Sequence, residues 1–119
     1  MAADPGETLL DMLKAWNEAD SGVRDDILTG ATGPSFTYRD PHAPGPIAGA
    51  EGMADYLTIF RQNLPDAVLV PGGRPKVTHD TAMVYARLDR DGEPFARLIF
   101  VGTAKDGKLT DLSAFMESE

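Results

Sequence analysis

Phe36-Thr37-Tyr38-Arg39-Asp40-Pro41-His42 reads as the end of a β-strand running into a proline-rich loop. Successive strand side chains point to opposite faces, so Phe36, Tyr38 and Asp40 share one side, with the carboxylate at the end of an apolar row. That is how the wall of a ligand pocket begins. Pro41, Pro44, Gly45 and Pro46 exclude regular structure and leave a loop to Ile47 or Gly49, long enough to line a pocket mouth. Gly49-Ala50-Glu51-Gly52 then leads into an amphipathic helix from Ala50 to Leu64. Its apolar positions Met53, Tyr56, Leu57, Phe60 and Leu64 recur at helical spacing, Glu51, Asp55 and Arg61 lie on the polar face, and Pro65 ends it.

Upstream, Asp4-Pro5-Gly6-Glu7 combines an N-cap, a first-turn proline and a capping-box acid, which predicts a helix from Pro5 to about Ala19 with Leu9, Leu13 and Trp16 on its buried face. Asp20-Ser21-Gly22 stops it and caps a second, short helix carrying Val23, Ile27 and Leu28 and ending at Gly30; Gly33-Pro34 breaks the chain before the first strand. Downstream, strands are expected at 67–70, 76–78, 82–89, 94–104 and 109–116. Gly72-Gly73 between Pro71 and Pro75 marks a turn or bulge. Asp91-Gly92 and Asp106-Gly107 supply tight turns, so the last three strands form an antiparallel meander. The 94–104 strand is apolar on both sides, Phe95, Ile99 and Val101 alternating with Ala96, Leu98, Phe100 and Gly102. Three helices shield one face only. The other is expected to meet a second subunit in a homodimer, unless the curved sheet folds over itself.

The chain has 119 residues and is expected to form a single domain over 1–119, large enough to bury about two-thirds of its unfolded surface. A formal charge of −8 repels phosphate backbones and anionic lipid, so neither nucleic acid nor a membrane is expected as partner; the same charge serves solubility. There is no cysteine, hence no disulfide, thiolate metal site or cysteine nucleophile, which fits a reducing compartment. Met1-Ala2-Ala3-Asp4-Pro5-Gly6-Glu7 lacks the basic start and apolar run of a secretion signal, and no stretch approaches the roughly 18 apolar residues of a membrane span. A cytoplasmic location is the expectation.

The order helix, helix, strand, helix, then a curved antiparallel sheet resembles the nuclear transport factor 2-like superfamily. The strand ending Asp40-Pro41, the Pro46-Ile47-Ala48-Gly49-Ala50-Glu51 helix entry and the Phe60-Arg61-Gln62 helix end resemble, within it, the SnoaL-like polyketide cyclases and the ketosteroid isomerases. The resemblance implies an α+β cone whose antiparallel sheet wraps a pocket closed by three helices, with no cofactor. It also implies isomerase, cyclase, lyase or hydratase chemistry, or a member with no activity. In the isomerases the aspartate before the strand's proline is the general base, and Asp40 matches it. Their enolate is held by a tyrosine and a protonated aspartic acid; here the helix offers Trp16, and Phe95 to Thr103 carries Arg97 as its one ionisable side chain. Losing one such donor commonly costs about 10²–10³ in rate, so steroid isomerisation is set aside.

The candidate catalytic pair is Asp40 with His42, which shares a proton with it or takes a raised pKa beside it. The plainer readings are an Asp40 carboxylate satisfied by turn amides and a solvent-exposed His42. Trp16, Tyr38, Tyr56 and Phe60 are candidate walls for a small apolar or amphipathic ligand, against a simple packing role. Arg97, in an apolar strand, requires an acid, and Asp111 on the next strand is its expected partner in a salt bridge or at a ligand-binding site. His79-Asp80 reads as a surface turn. Two histidines far apart with no cysteine give no metal constellation. The competing expectation is a non-catalytic ligand carrier or dimerisation module.

Overall fold

A computed structural model describes residues 4–117; the reading of Met1-Ala2-Ala3 lies outside them. Helix α1 (Pro5–Leu13) starts as expected: the Asp4 carboxylate accepts the Gly6 N–H at 3.0 Å and Pro5 fills the first turn, where no amide is needed. It ends early, tightening into a 3-10 turn over Lys14–Asn17 instead of running to Ala19. The cause is tertiary. The Asn17 side-chain amide exchanges two hydrogen bonds with the Leu69 backbone, at 2.9 and 2.7 Å, and the Arg61 guanidinium donates to the Trp16 carbonyl at 3.3 Å. The Trp16 carbonyl, which would accept in a continued α-ladder, is bonded elsewhere, and the Asn17 side chain ties the turn to Leu69. Helix α2 (Ser21–Ala31) is capped by Asp20, which accepts the Val23 N–H at 3.0 Å, and runs past Gly30 until the Thr32 hydroxyl returns to the Leu28 carbonyl.

Strand β1 (Thr32–Arg39) includes Gly33-Pro34, where a chain break was expected; the irregularity is absorbed as a register shift against β7 between Thr32 and Thr37. The loop from Asp40 ends in a short strand, β2 (Ile47–Ala48), paired with Thr37 and Tyr38. Helix α3 (Gly49–Asn63) follows. Gly49 has φ 74°, a conformation that favours glycine, and a side-chain carbon added at Gly52 would lie 3.0 Å from Cγ2 of Ile47, so the second glycine leaves room for the Ile47 side chain.

The remaining strands are β3 (Ala67–Pro71), β4 (Lys76–Thr78), β5 (Thr81–Arg90), β6 (Glu93–Lys105) and β7 (Lys108–Met116). Positive φ at Asp91, Gly92, Asp106 and Gly107 matches the two tight turns of the antiparallel β5–β6–β7 meander. The seven strands lie in the order β2-β1-β7-β6-β5-β3, with β4 also on β5. The curved sheet is mixed rather than wholly antiparallel, because β1 lies parallel to β7; no hairpin joins those two, so nothing imposes the opposite sense. Helices and concave face meet over Leu9, Met12, Leu28, Phe36, Met53, Leu57 and Phe100, all essentially buried. Among the described residues no helix is long and apolar enough to cross a membrane.

Candidate functional site

Alternation along β1 places Phe36 and Tyr38 in the core and brings Asp40 to its border, half-buried, where Pro41 turns the chain. Two phenols meet on one carboxylate oxygen: Tyr38 donates to Oδ2 of Asp40 at 2.5 Å and Tyr56, from α3, donates to the same atom at 2.9 Å. The backbone N–H of His42 donates to Oδ1 at 2.8 Å, and that of Ala43 to the Asp40 carbonyl at 3.1 Å, so the carboxylate also closes its own turn. Burial first, and then the Asp40 charge, push both phenols above their ordinary range, which keeps both hydroxyls protonated as donors.

Beside this cluster is a hollow of about 310 Å³ between α3, the 3-10 turn and β6. Trp16, Tyr56, Phe60, Leu98 and Phe100 are part of its mainly apolar wall, with Asp40, His42 and Asn63 adding polar groups. The rings interlock. Trp16 meets Tyr38 edge-on at 5.8 Å and Phe100 at 5.5 Å, and Tyr38 meets Tyr56 at 5.6 Å. Hollows of about 340 Å³ near α1 and α2 and about 420 Å³ beside β1 have no aromatic ring in their walls.

The structure thus brings together Trp16, Asp40, His42, Tyr56 and Phe60 around one volume. Tyr38 stands behind Asp40, fully buried, and supports the carboxylate without facing the hollow. His42 lies at the border through an exposed side chain, and its backbone amide, not its ring, reaches Asp40. Arg97 and Asp111 do not join. Both lie on the outer face of the sheet, where Arg97 is opposite Arg87 and Asp111 opposite Thr103, so the expected pair does not form. Arg97 is exposed and therefore needs no acid, since strand parity turns it outward while Leu98 and Phe100 point in. His79 is exposed in the β4–β5 turn. Among the described residues no group of three or more acids or histidines is placed to hold a metal.

Sequence reading missed Ile59, Asn63, Leu88, Phe95, Leu98 and Phe100 as lining residues. The inward parity of Leu98 and Phe100 was a usable signal. It also missed Asn17 and Arg61, which fix the turn that carries Trp16: besides the Trp16 carbonyl, Arg61 donates to the carbonyls of Ala67 and Pro65, each at 3.4 Å.

No family model matches the chain, and no curated protein matches it in sequence. Solved structures do. A candidate isomerase of the SnoaL-like family from Agrobacterium tumefaciens is 24% identical over 94% of this chain and 96% of its own, with a TM-score of 0.87. A candidate SnoaL-like polyketide cyclase from Jannaschia is 19% identical over 95% and 85%, TM-score 0.75. An NTF2-like protein of unknown function from Cytophaga hutchinsonii is 12% identical over 98% and 93%, TM-score 0.69. At these identities the likeness establishes the nuclear transport factor 2-like, SnoaL-like fold, and chemistry has to be argued from the site.

Proposed function

We propose that this chain, as one domain, binds a small, mainly apolar molecule in the hollow between α3, the Trp16 turn and β6, with Asp40 as its polar anchor. The observation that carries this reading is a carboxylate fixed by three donors at the border of a hollow walled by aromatic and aliphatic side chains. Each donor is itself held by the fold, so the anchor is positioned before any ligand arrives. The reading requires no cofactor and fits a cytoplasmic protein. Trp16 is the sole tryptophan and lies in the wall, so occupancy should be visible in its emission. A neutral apolar dye such as Nile red should bind saturably to the wild type and much more weakly to Ala96→Trp, a change that puts an indole into the wall of the hollow and leaves Asp40 itself in place. Undiminished binding to that variant would remove the site.

A second reading, proton transfer by Asp40 in isomerase, cyclase or lyase chemistry, has its own support. One wall presents a carboxylate able to take a proton, held in place by the Tyr56 hydroxyl that donates to it, and two of the three similar structures named above are a candidate isomerase and a candidate cyclase. Deuterium uptake from heavy water at the carbon next to the carbonyl of indanone, followed by NMR, tests it. The wild type should accelerate exchange, with a loss of about 10²-fold or more in Asp40→Asn. Equal rates in both would leave binding alone.

A homodimer through the outer sheet face completes the proposal. Tyr85 and Phe115 are 46% and 53% exposed there, on either side of Ile99.

A further inference from the structure

The hollow carries a fixed negative charge and no cation fixed against it. Asp40 is the only carboxylate among its lining residues, and no lysine or arginine lines it. Among the described residues Asp40 takes part in no ion pair. The cations nearest along the chain are committed or turned away: Arg39 is exposed on the other side of β1, and Arg61 spends its guanidinium on three backbone carbonyls. His42 at the border meets the carboxylate through its amide, with its side chain exposed. The three donors on Asp40 are neutral dipoles, which stabilise the charge without cancelling it.

Around that charge the wall is aromatic. Trp16, Tyr56, Phe60, Phe95 and Phe100 all line the hollow, and ring faces attract cations. A neutral apolar ligand would cover a carboxylate and leave it without a counterion, and an acid would be repelled by it. The formal charge of the chain, −8, further favours arrival of a cation. We propose that the ligand of this hollow is an amine: a protonated nitrogen carried on an apolar body, with the ammonium against Asp40 and the rings, and the body against Leu98 and Phe100. This rests on the binding reading above and names the chemical class that fits it.

Three probes of the same shape separate the possibilities: phenylbutylamine, phenylbutanol and phenylbutyrate, titrated by calorimetry into the full chain. The amine should bind about tenfold or more tightly than the alcohol, and the acid weakest. In Asp40→Asn the preference of amine over alcohol should shrink to within about twofold, and near-ultraviolet dichroism from the Trp16, Tyr38 and Phe100 rings should be retained, as a check that the hollow has formed. Equal affinity for amine and alcohol in the wild type, or preference for the acid, overturns the amine assignment and leaves a small-molecule site standing. Binding of none of the three overturns the hollow as a ligand site, and the amine with it.

Discussion

Asp40 joins two segments that are sixteen residues apart, and its behaviour is set by the phenols it holds. An unfolded tyrosine ionises near pH 10, whereas Tyr38 and Tyr56 are pushed higher by burial and by the adjacent carboxylate. Above about pH 10 the unfolded chain therefore loses protons that the folded chain keeps, so stability from these phenols is present below that pH and falls as pH rises through the alkaline range. Alkaline absorbance titration should show Tyr38 and Tyr56 withheld until unfolding; complete ionisation of all three tyrosines while the far-ultraviolet dichroism is intact would contradict the cluster. One half of this arrangement was legible. Alternation put Tyr38 and Asp40 on one face, but the Tyr56 hydroxyl arrives from a helix whose rotation depends on packing, and periodicity reads that ring only as apolar. Arg24 is a second residue whose role only coordinates show. It is 5% exposed, and its Nε and Nη1 have no partner among the described residues. A buried guanidinium without an acid opposes folding, so Arg24→Met should raise the denaturation midpoint, by about 1 kcal/mol or more in free energy. A lower midpoint would show that the guanidinium is satisfied.

At the scale of elements, the site depends on where α1 stops. Had it continued to Ala19, the backbone beyond Leu13 would have remained in a single helical ladder; the Asn17 clip to Leu69 ties the 3-10 turn to β3 instead, and Trp16 with it. Asn17→Ala should destabilise by about 1–3 kcal/mol, since it leaves the Leu69 N–H and carbonyl unpaired. Amide exchange at Leu69 should accelerate accordingly, and unchanged protection there would mean the clip does not restrain the turn. The short-range features of the fold were readable because their causes are local. Asp4 and Asp20 cap helices through amides two and three residues away, and Asp91-Gly92 and Asp106-Gly107 turn the meander through their own dihedrals. What stayed hidden was set by distant partners: the shortened α1, β2 in a proline-rich loop, and β1 lying parallel to β7. The Arg97–Asp111 expectation failed on register. Two residues on adjacent strands meet only if the turn aligns them, and this turn sets Asp111 opposite Thr103.

For the whole molecule, the decisive asymmetry lies between the two faces of the sheet. The concave face takes the helices and the hollow; the other carries Tyr85, Ile99 and Phe115 in one row across β5, β6 and β7, with Met83 and Val101 in the next. Among the described residues no helix covers them, and Tyr85 and Phe115 remain about half exposed. An apolar row across the middle of a sheet matches the centre of an isologous interface, and a stable one buries about 1,200 Å² or more in total. The polar positions around it, Thr37, Thr103 and Asp111 at one end and Arg97 at the other, beside an Arg87 already paired with Asp89, suit a rim where acid and base from two copies meet across a two-fold axis. Sedimentation at micromolar concentration should accordingly return a dimer. Phe115→Asp places a charge in the row and should weaken association by about 10²-fold or more. Because that residue stands on the face opposite the hollow, the variant should still bind the neutral dye, which separates loss of the interface from loss of the fold. A wild-type monomer at that concentration would leave the outer face without a partner of its own kind.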